Sequence, residues 1–314
     1  MKPLTIDPAL FAPHAVTAET HAFNEQMRER FAGPGMAELG AQAMRGGRVP
    51  GVMDPKAEVR QIRRPDGGEV AVRVIAPDSP RGAYLHLHPG GLVVGSADMM
   101  DARLRRIADA TGLACVSVDY RLAPEHPYPA AWDDAEAAAL WLASDVAAEF
   151  GGAFLAIGGE SAGATLAVPT LVRMRDRHGF AGFDAANLSY GNYDSTGSPS
   201  NHWNGKDGIF IREVDLAYCA DCYAPDRTMR RDPDMSPIFA DLTGLPPALF
   251  TVGTVDPFLD DSLFMASRWI AAGNAADLAI YPGAIHGFTG FPYALAREAN
   301  ARIDAWLKEK VDAG

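Results

Sequence analysis

The pentapeptide Gly159-Glu160-Ser161-Ala162-Gly163 constrains this chain more than any other feature. It follows an apolar run, 154–157, that reads as a short buried strand, and it precedes a segment, 162–173, that reads as a helix. A serine at the apex of a sharp strand-to-helix turn is the setting of a nucleophile elbow. Glycines on both flanks let strand and helix pack closely around a strained turn. The serine oxygen then stands clear of the backbone, above the C-terminal edge of a sheet. The helix start behind it offers unpaired amides and a partial positive charge to an oxyanion. An ordinary glycine-rich βα loop has the same composition, so the rest of the chain has to decide between the two.

Around the elbow, strands and helices alternate. Two alternating segments, 58–63 and 70–76, flank Pro65-Asp66-Gly67-Gly68 and read as an antiparallel hairpin at one sheet edge. Strands are expected at 83–87, 114–118, 187–190, 248–252 and 277–281, and helices at 98–110, 130–150, 262–272 and 293–310. That order implies an α/β fold with a mostly parallel sheet covered on both faces. With 314 residues, 48% of them hydrophobic, the chain suffices for one large core. Two regions stand apart. In residues 1–50 a helical segment, 17–31, is stopped by Gly33-Pro34-Gly35. Residues 192–235 scatter Trp203, Phe210, Tyr218 and Tyr223 among turn residues, over too long a stretch for a simple connection. Both regions are expected to lie over the C-terminal edge of the sheet.

A serine hydroxyl needs a base within hydrogen-bond reach, and the base needs an acid to orient it. In α/β-hydrolases, whose nucleophile elbow this turn resembles, the chain order is serine, acid, histidine. Of the eight histidines only His202 and His286 lie well beyond the elbow helix, and His202 sits in the 192–235 insertion. His286 follows the last expected strand, in a loop at the same sheet edge as Ser161. Asp256 follows the preceding strand; Asp260 and Asp261 stand where a helix begins and read as caps. The oxyanion requires amides aimed at developing charge. The N–H of Ala162 is one candidate, and the glycine-rich loop His88-Pro89-Gly90-Gly91-Leu92 supplies others. His86 and His88 share a strand face, but no third or fourth ligand is near them in sequence, so a zinc site is not expected. Cys219-Ala220-Asp221-Cys222 lacks a second cysteine pair, and Cys115 reads as packing.

With these motifs the chain resembles the hormone-sensitive-lipase-like family of bacterial esterases over most of residues 60–314. The resemblance rests on the loop 88–91, Asp119-Tyr120-Arg121-Leu122-Ala123-Pro124-Glu125, Tyr128-Pro129-Ala130, Asp133-Asp134, the elbow, Gly244-Leu245-Pro246-Pro247, Asp256-Pro257 and His286-Gly287-Phe288. It implies an α/β-hydrolase fold, with a mostly parallel eight-stranded sheet, helices on both faces and a helical cap. A single domain over 1–314 would then have its core at about 55–194 and 236–314, and its cap at about 1–50 and 195–235. The family assigns Ser161 as nucleophile, Asp256 as acid and His286 as base, with Gly90, Gly91 and Ala162 holding the oxyanion. No metal or cofactor is required.

The expected activity is hydrolysis of short-chain acyl esters through an acyl-enzyme. Amides, lactones or carbonates are alternatives for the same triad, and a non-catalytic small-molecule binder is the alternative of a different class. Leu92, Trp203, Phe210, Phe258, Ile285 and Phe288 are the bulky residues expected around the substrate. Pro89 and Glu160 depart from the family pattern, where glycine and aspartate are common. A net charge of −12 without a basic stripe speaks against nucleic acid. No apolar run reaches membrane-spanning length, and the N-terminus shows no signal-like segment, so a cytoplasmic location is expected. Relatives often pair along the last strand, here running from Asp277 to Tyr281, and a homodimer by that edge is expected.

Overall fold

A computed structural model describes residues 4–47, 53–152 and 154–314. The first three residues of the expected signal-free N-terminus, and residues 48–50 of the expected cap segment, lie outside the described residues.

In chain order, helices α1 (Ala18–Arg30), α2 (Met36–Leu39) and α3 (Ala41–Gly46) precede the hairpin β1 (Glu58–Arg63) and β2 (Glu69–Ile75). The series continues with β3 (Ala83–Leu87), α4 (Asp101–Thr111), β4 (Ala114–Asp119), α5 (Ala130–Trp141), the short α6 (Ala147–Glu149), β5 (Leu155–Glu160) and α7 (Ala162–His178). After β6 (Ala185–Ser189) come α8 (Pro199–Trp203) and α9 (Glu213–Tyr223), then β7 (Ala248–Gly253), α10 (Leu259–Ala271), β8 (Ala276–Tyr281) and α11 (Ala294–Ala313).

The strands form one eight-stranded sheet in the order β1-β2-β4-β3-β5-β6-β7-β8. β1, β2 and β4 pair antiparallel, and all later neighbours pair parallel. β3, β5, β6 and β7 are buried along their whole length, as strands covered on both faces must be. Successive side chains alternate between the faces. Val116, Ile157 and Phe250 therefore join one apolar cluster with Trp132, Leu166 and Trp269 of α5, α7 and α10. Their neighbours Cys115, Ala156 and Leu249 join the other, with Leu104, Ile107, Ile303 and Trp306 of α4 and α11.

The expected single helix over 130–150 is a correction: it breaks at Ser144, whose ψ of −168° is not helical. The Ser144 hydroxyl donates to the Trp141 carbonyl at 2.6 Å, giving the backbone a local alternative to the next helical turn. The elbow helix runs on beyond the expected 173 to His178, where Gly179 in the left-handed region ends it. Among the described residues, no helix is long and apolar enough to cross a membrane.

Candidate active site

The elbow is built by close backbone approach. β5 is followed by Ser161 at φ 53°, ψ −120°, a region that costs a non-glycine residue ~1–3 kcal/mol. A Cβ on Gly159 would lie 2.1 Å from the Leu87 carbonyl oxygen of β3, and one on Gly163 only 1.8 Å from the same atom. The two glycines thus let β5 and α7 close on β3, which holds the strained serine in place.

The sheet edge brings the other two residues to it. Asp256 follows β7, His286 follows β8, and parallel register puts both loops at the end where β5 delivers Ser161. His286 Nε2 is 2.9 Å from Ser161 Oγ, and its Nδ1 is 3.0 Å from both carboxylate oxygens of Asp256. All three side chains are buried, and Asp256 completely so. Asp256 also accepts the Phe258 amide at 2.8 Å. Tyr190 and Phe258 meet the imidazole edge-on, with ring centroids 5.1 and 5.2 Å away.

Beside the serine, Gly90, Gly91 and Leu92 all have positive φ, at 132°, 62° and 63°. Among the described residues, the Gly90 and Gly91 amides find no backbone acceptor. Ala162 is the first residue of α7, where the amide has no partner within the helix. A side chain at Gly91 would strike Cys219, whose Sγ lies 2.7 Å from the Cβ position. Burial pushes the Cys219 thiol up to about 12, so it is a packing group. His86 and His88 are turned to other tasks. His86 bridges Ser117 and Glu160, each at 2.9 Å, while His88 stacks on Tyr120 and contacts the Pro89 carbonyl.

Glu160 lies directly behind the nucleophile and is buried, with Arg103 Nε 2.7 Å from its carboxylate. Burial favours its neutral form, but Arg103, His86 and Arg106 together outweigh that and hold its carboxyl below the ordinary value. Arg103 also donates to Thr289 Oγ1 and Asn300 Oδ1, and Thr289 bonds Tyr190, so one network links the elbow to the loop bearing His286. Sequence reasoning missed Arg103, Thr289 and Tyr190. They are far apart in the chain and carry no motif; only a buried carboxylate at 160 asks for a cation.

Two cavities flank Ser161. The larger, about 780 Å³, is bordered by His286, Gly90, Glu160 and Tyr190, by Phe31, Met36 and Met44 of the N-terminal segment, and by Phe210 and Phe291. The smaller, about 40 Å³, lies between Leu92, Ala162, Thr165, Cys219, Tyr223 and Phe258. Of the expected substrate-side residues, Phe210 borders the first, and Leu92 and Phe258 the second. Three expectations need correction. Trp203 is 74% exposed at the end of α8 and borders neither cavity. Ile285 and Phe288 are packed into the core beneath the His286 loop, because their neighbour His286 takes the outward position. Asp260 and Asp261 stand in the first turn of α10, but no amide of that turn bonds their carboxylates among the described residues. Asp260 accepts the Ser200 amide, and buried Asp261 accepts the Tyr193 and Asp194 amides and the Ser198 hydroxyl. They tether the chain leaving β6. Burial raises the Asp261 carboxyl to about 6.

Known proteins resemble this chain over most of its length. A profile of the α/β-hydrolase fold matches residues 84–290. The chain is 33% identical over 300 residues to a protein named carboxylesterase NlhH from Mycobacterium tuberculosis, covering 84% of this chain and 91% of that one. It is 34% identical over 230 residues to the carboxylic ester hydrolase LipN of the same species, covering 70% of this chain but only 61% of LipN. An esterase structure from Pyrobaculum calidifontis superposes with a TM-score of 0.77 at 31% identity, over 95% of this chain and 98% of that one. A bacterial hormone-sensitive-lipase-family esterase does so with 0.78 at 30% identity, over 94% and 99%. The chain belongs to the α/β-hydrolase-fold family, in its hormone-sensitive-lipase-like branch.

Proposed function

We propose that this protein is a serine carboxylesterase that cleaves esters of short acyl groups. The observation that carries the reading is the hydrogen-bonded series Asp256–His286–Ser161. In this reading His286 takes the Ser161 proton as Oγ attacks the ester carbonyl. The amides of Gly90, Gly91 and Ala162 receive the oxyanion, and Asp256 stabilises the imidazolium. His286 returns the proton to the departing alkoxide. Water, deprotonated by His286, then attacks the acyl-enzyme, and Ser161 leaves with its proton restored.

The two cavities support the acyl preference. A leaving alkoxide must face His286, and His286 borders only the larger cavity. The alcohol side therefore takes that space, and the acyl group takes the small pocket by Leu92 and Phe258. Relatives named acetyl esterase, from Salmonella, and ethyl acetate hydrolase, from Pseudomonas putida, agree with a small acyl group. In the same reading residues 4–47 of the expected 1–50 segment, with 195–235, form a cap over the site. The open outer edge of β8, the last strand of the sheet, suits a homodimer, and three free cysteines suit the cytoplasm.

The test is a series of p-nitrophenyl esters from acetyl to palmitoyl, with Ser161→Ala as control. We expect kcat/KM to be highest for the shortest acyl chains, and the Ser161→Ala variant to lose ~10⁴-fold or more in kcat while staying folded. A folded variant with near-normal turnover would remove the triad assignment, and activity climbing steadily toward palmitoyl would remove the short-acyl assignment.

A further inference from the structure

The turn assigned to the oxyanion is held by a residue of the N-terminal segment, some way back along the chain. Leu92 sits at φ 63°, a left-handed conformation that a branched side chain does not choose unaided. From within the turn, the Val93 and Val94 amides close on the Gly90 carbonyl at 3.0 and 2.9 Å. From outside, the Ala123 amide donates to the Leu92 carbonyl at 2.8 Å. A further tie is Arg45 of α3. Its Nε donates to the Val93 carbonyl at 2.7 Å, and its Nη2 donates to the Ala123 carbonyl at 2.6 Å. Nη1 meets Glu125 at 2.9 Å on the partly exposed side. One planar fork thus locks together the two loops that Leu92 and Ala123 already join by a single bond.

We propose that Arg45 is a positioning residue for the oxyanion amides, so that the N-terminal segment completes the catalytic geometry as well as covering the substrate. The inference rests on the carboxylesterase reading above. Arg45 touches no reacting atom. It holds the Val93 end of a turn in which Gly90 and Gly91 must keep their N–H groups aimed at one point. Without it, ester still binds, but the donors lose alignment for the tetrahedral oxygen. The loss therefore falls on interactions made in the transition state and not on ground-state binding.

The experiment compares Arg45→Ala, Arg45→Lys and Glu125→Gln with the unaltered enzyme on p-nitrophenyl acetate. A trifluoromethyl ketone, whose tetrahedral hemiketal adduct with Ser161 Oγ places its oxyanion on those donors, is titrated in parallel. Arg45→Ala is expected to lower kcat by about 10- to 100-fold, less than the loss of a donor itself, with KM within about twofold. Affinity for the ketone should fall by the same factor as kcat. Millimolar guanidinium should restore part of the activity of Arg45→Ala and none to the unaltered enzyme. Arg45→Lys, which can serve only one carbonyl well, should fall between, and Glu125→Gln should stay near normal. If Arg45→Ala fails to fold, the kcat and ketone shifts of Arg45→Lys decide. Unchanged kcat and ketone affinity in the folded variants, with only the melting temperature lowered, would overturn the inference and leave the enzyme reading standing. Failure of an organophosphate to label Ser161 in the unaltered protein would overturn the enzyme reading, and this inference with it.

Discussion

Ser161 lies between two walls made in different ways. Below it, β3, β5 and α7 meet through backbone atoms with no room for a side chain at Gly159 or Gly163. Above it, the N-terminal segment and the α8–α9 region are joined by side chains. Arg212 pairs with Glu38 and Asp215, Asp215 accepts the Ala37 amide at 2.9 Å, and Tyr218 accepts the Ala41 amide at 2.9 Å. Asn24 reaches down to the Gly283 carbonyl at 2.8 Å, close to the His286 loop. A wall of packed backbone fixes the nucleophile because any displacement meets hard-sphere repulsion. A wall of partly exposed polar ties holds shape by contacts worth about 1 kcal/mol or less each, so substitutions can alter it without dismantling the core.

Gly163→Ala tests this difference at its extreme. A methyl group 1.8 Å from a β3 carbonyl oxygen cannot be accommodated without moving α7. We expect a loss of ~4 kcal/mol or no folded protein at all, read from urea unfolding. Gly33→Ala, where nothing lies within 4 Å of the added carbon, should leave the unfolding midpoint almost unchanged. Equal tolerance at the two positions would erase the distinction between the walls.

Arg212→Ala probes the upper wall and should have a smaller effect, of a different kind. It leaves Asp215 without its cation, where Arg212 and the Ala37 amide now outweigh burial to keep that carboxyl low. Because Arg212 also borders the larger cavity, KM for bulky-alcohol esters should rise severalfold, while unfolding free energy falls by about 1 kcal/mol. A drop in kcat at constant KM would move Arg212 into the chemistry and blur the comparison.

An effect confined to a pH interval concerns Asp261, which anchors the chain between β6 and α8. Burial raises its carboxyl from the ordinary 3.8 to about 6 in the folded protein. The folded state therefore binds this proton more tightly than the unfolded state does. Its ionisation costs stability as pH rises through that interval, and the cost is fully present above about 6. Relative to Asp261→Asn, the unaltered protein should lose roughly 2 kcal/mol between pH 4 and pH 7, measured by urea unfolding across the range. A difference that is flat with pH would show that the tether is not strained by its own charge.

The local signals in the chain reached far because they reflect short-range physics. Alternation of β and α segments follows from which faces must be buried, and it announced the strand series and the parallel sheet. The glycines around Ser161 declared a close backbone approach, and the order Ser161, Asp256, His286 matched loops that a parallel sheet delivers to one edge. Those inferences need only the period of the pattern and the direction of the strands. The helix expected over 130–150 stops short of that range, because Ser144 makes an alternative bond that an alanine-rich run conceals.

What the tertiary structure alone decided are relations between distant side chains. Trp203 and Phe210 sit in the same insertion, yet one faces solvent and the other the cavity, since burial depends on what lies across from each. Ile285 and Phe288 flank His286 in the chain but pack beneath it. Asp261 looks like a helix cap until the chain after β6 folds back and occupies its oxygens. Arg103 and Arg45 carry no motif; each acquires a role only when folding brings a buried carboxylate or two orphan carbonyls within its reach. Sequence determined the sheet, the elbow and the order of the candidate triad, because these follow from local propensity and strand direction. Three-dimensional packing decided which residues shape the cavity and which hold the chemistry in register, because those contacts join positions that the chain keeps tens to hundreds of residues apart.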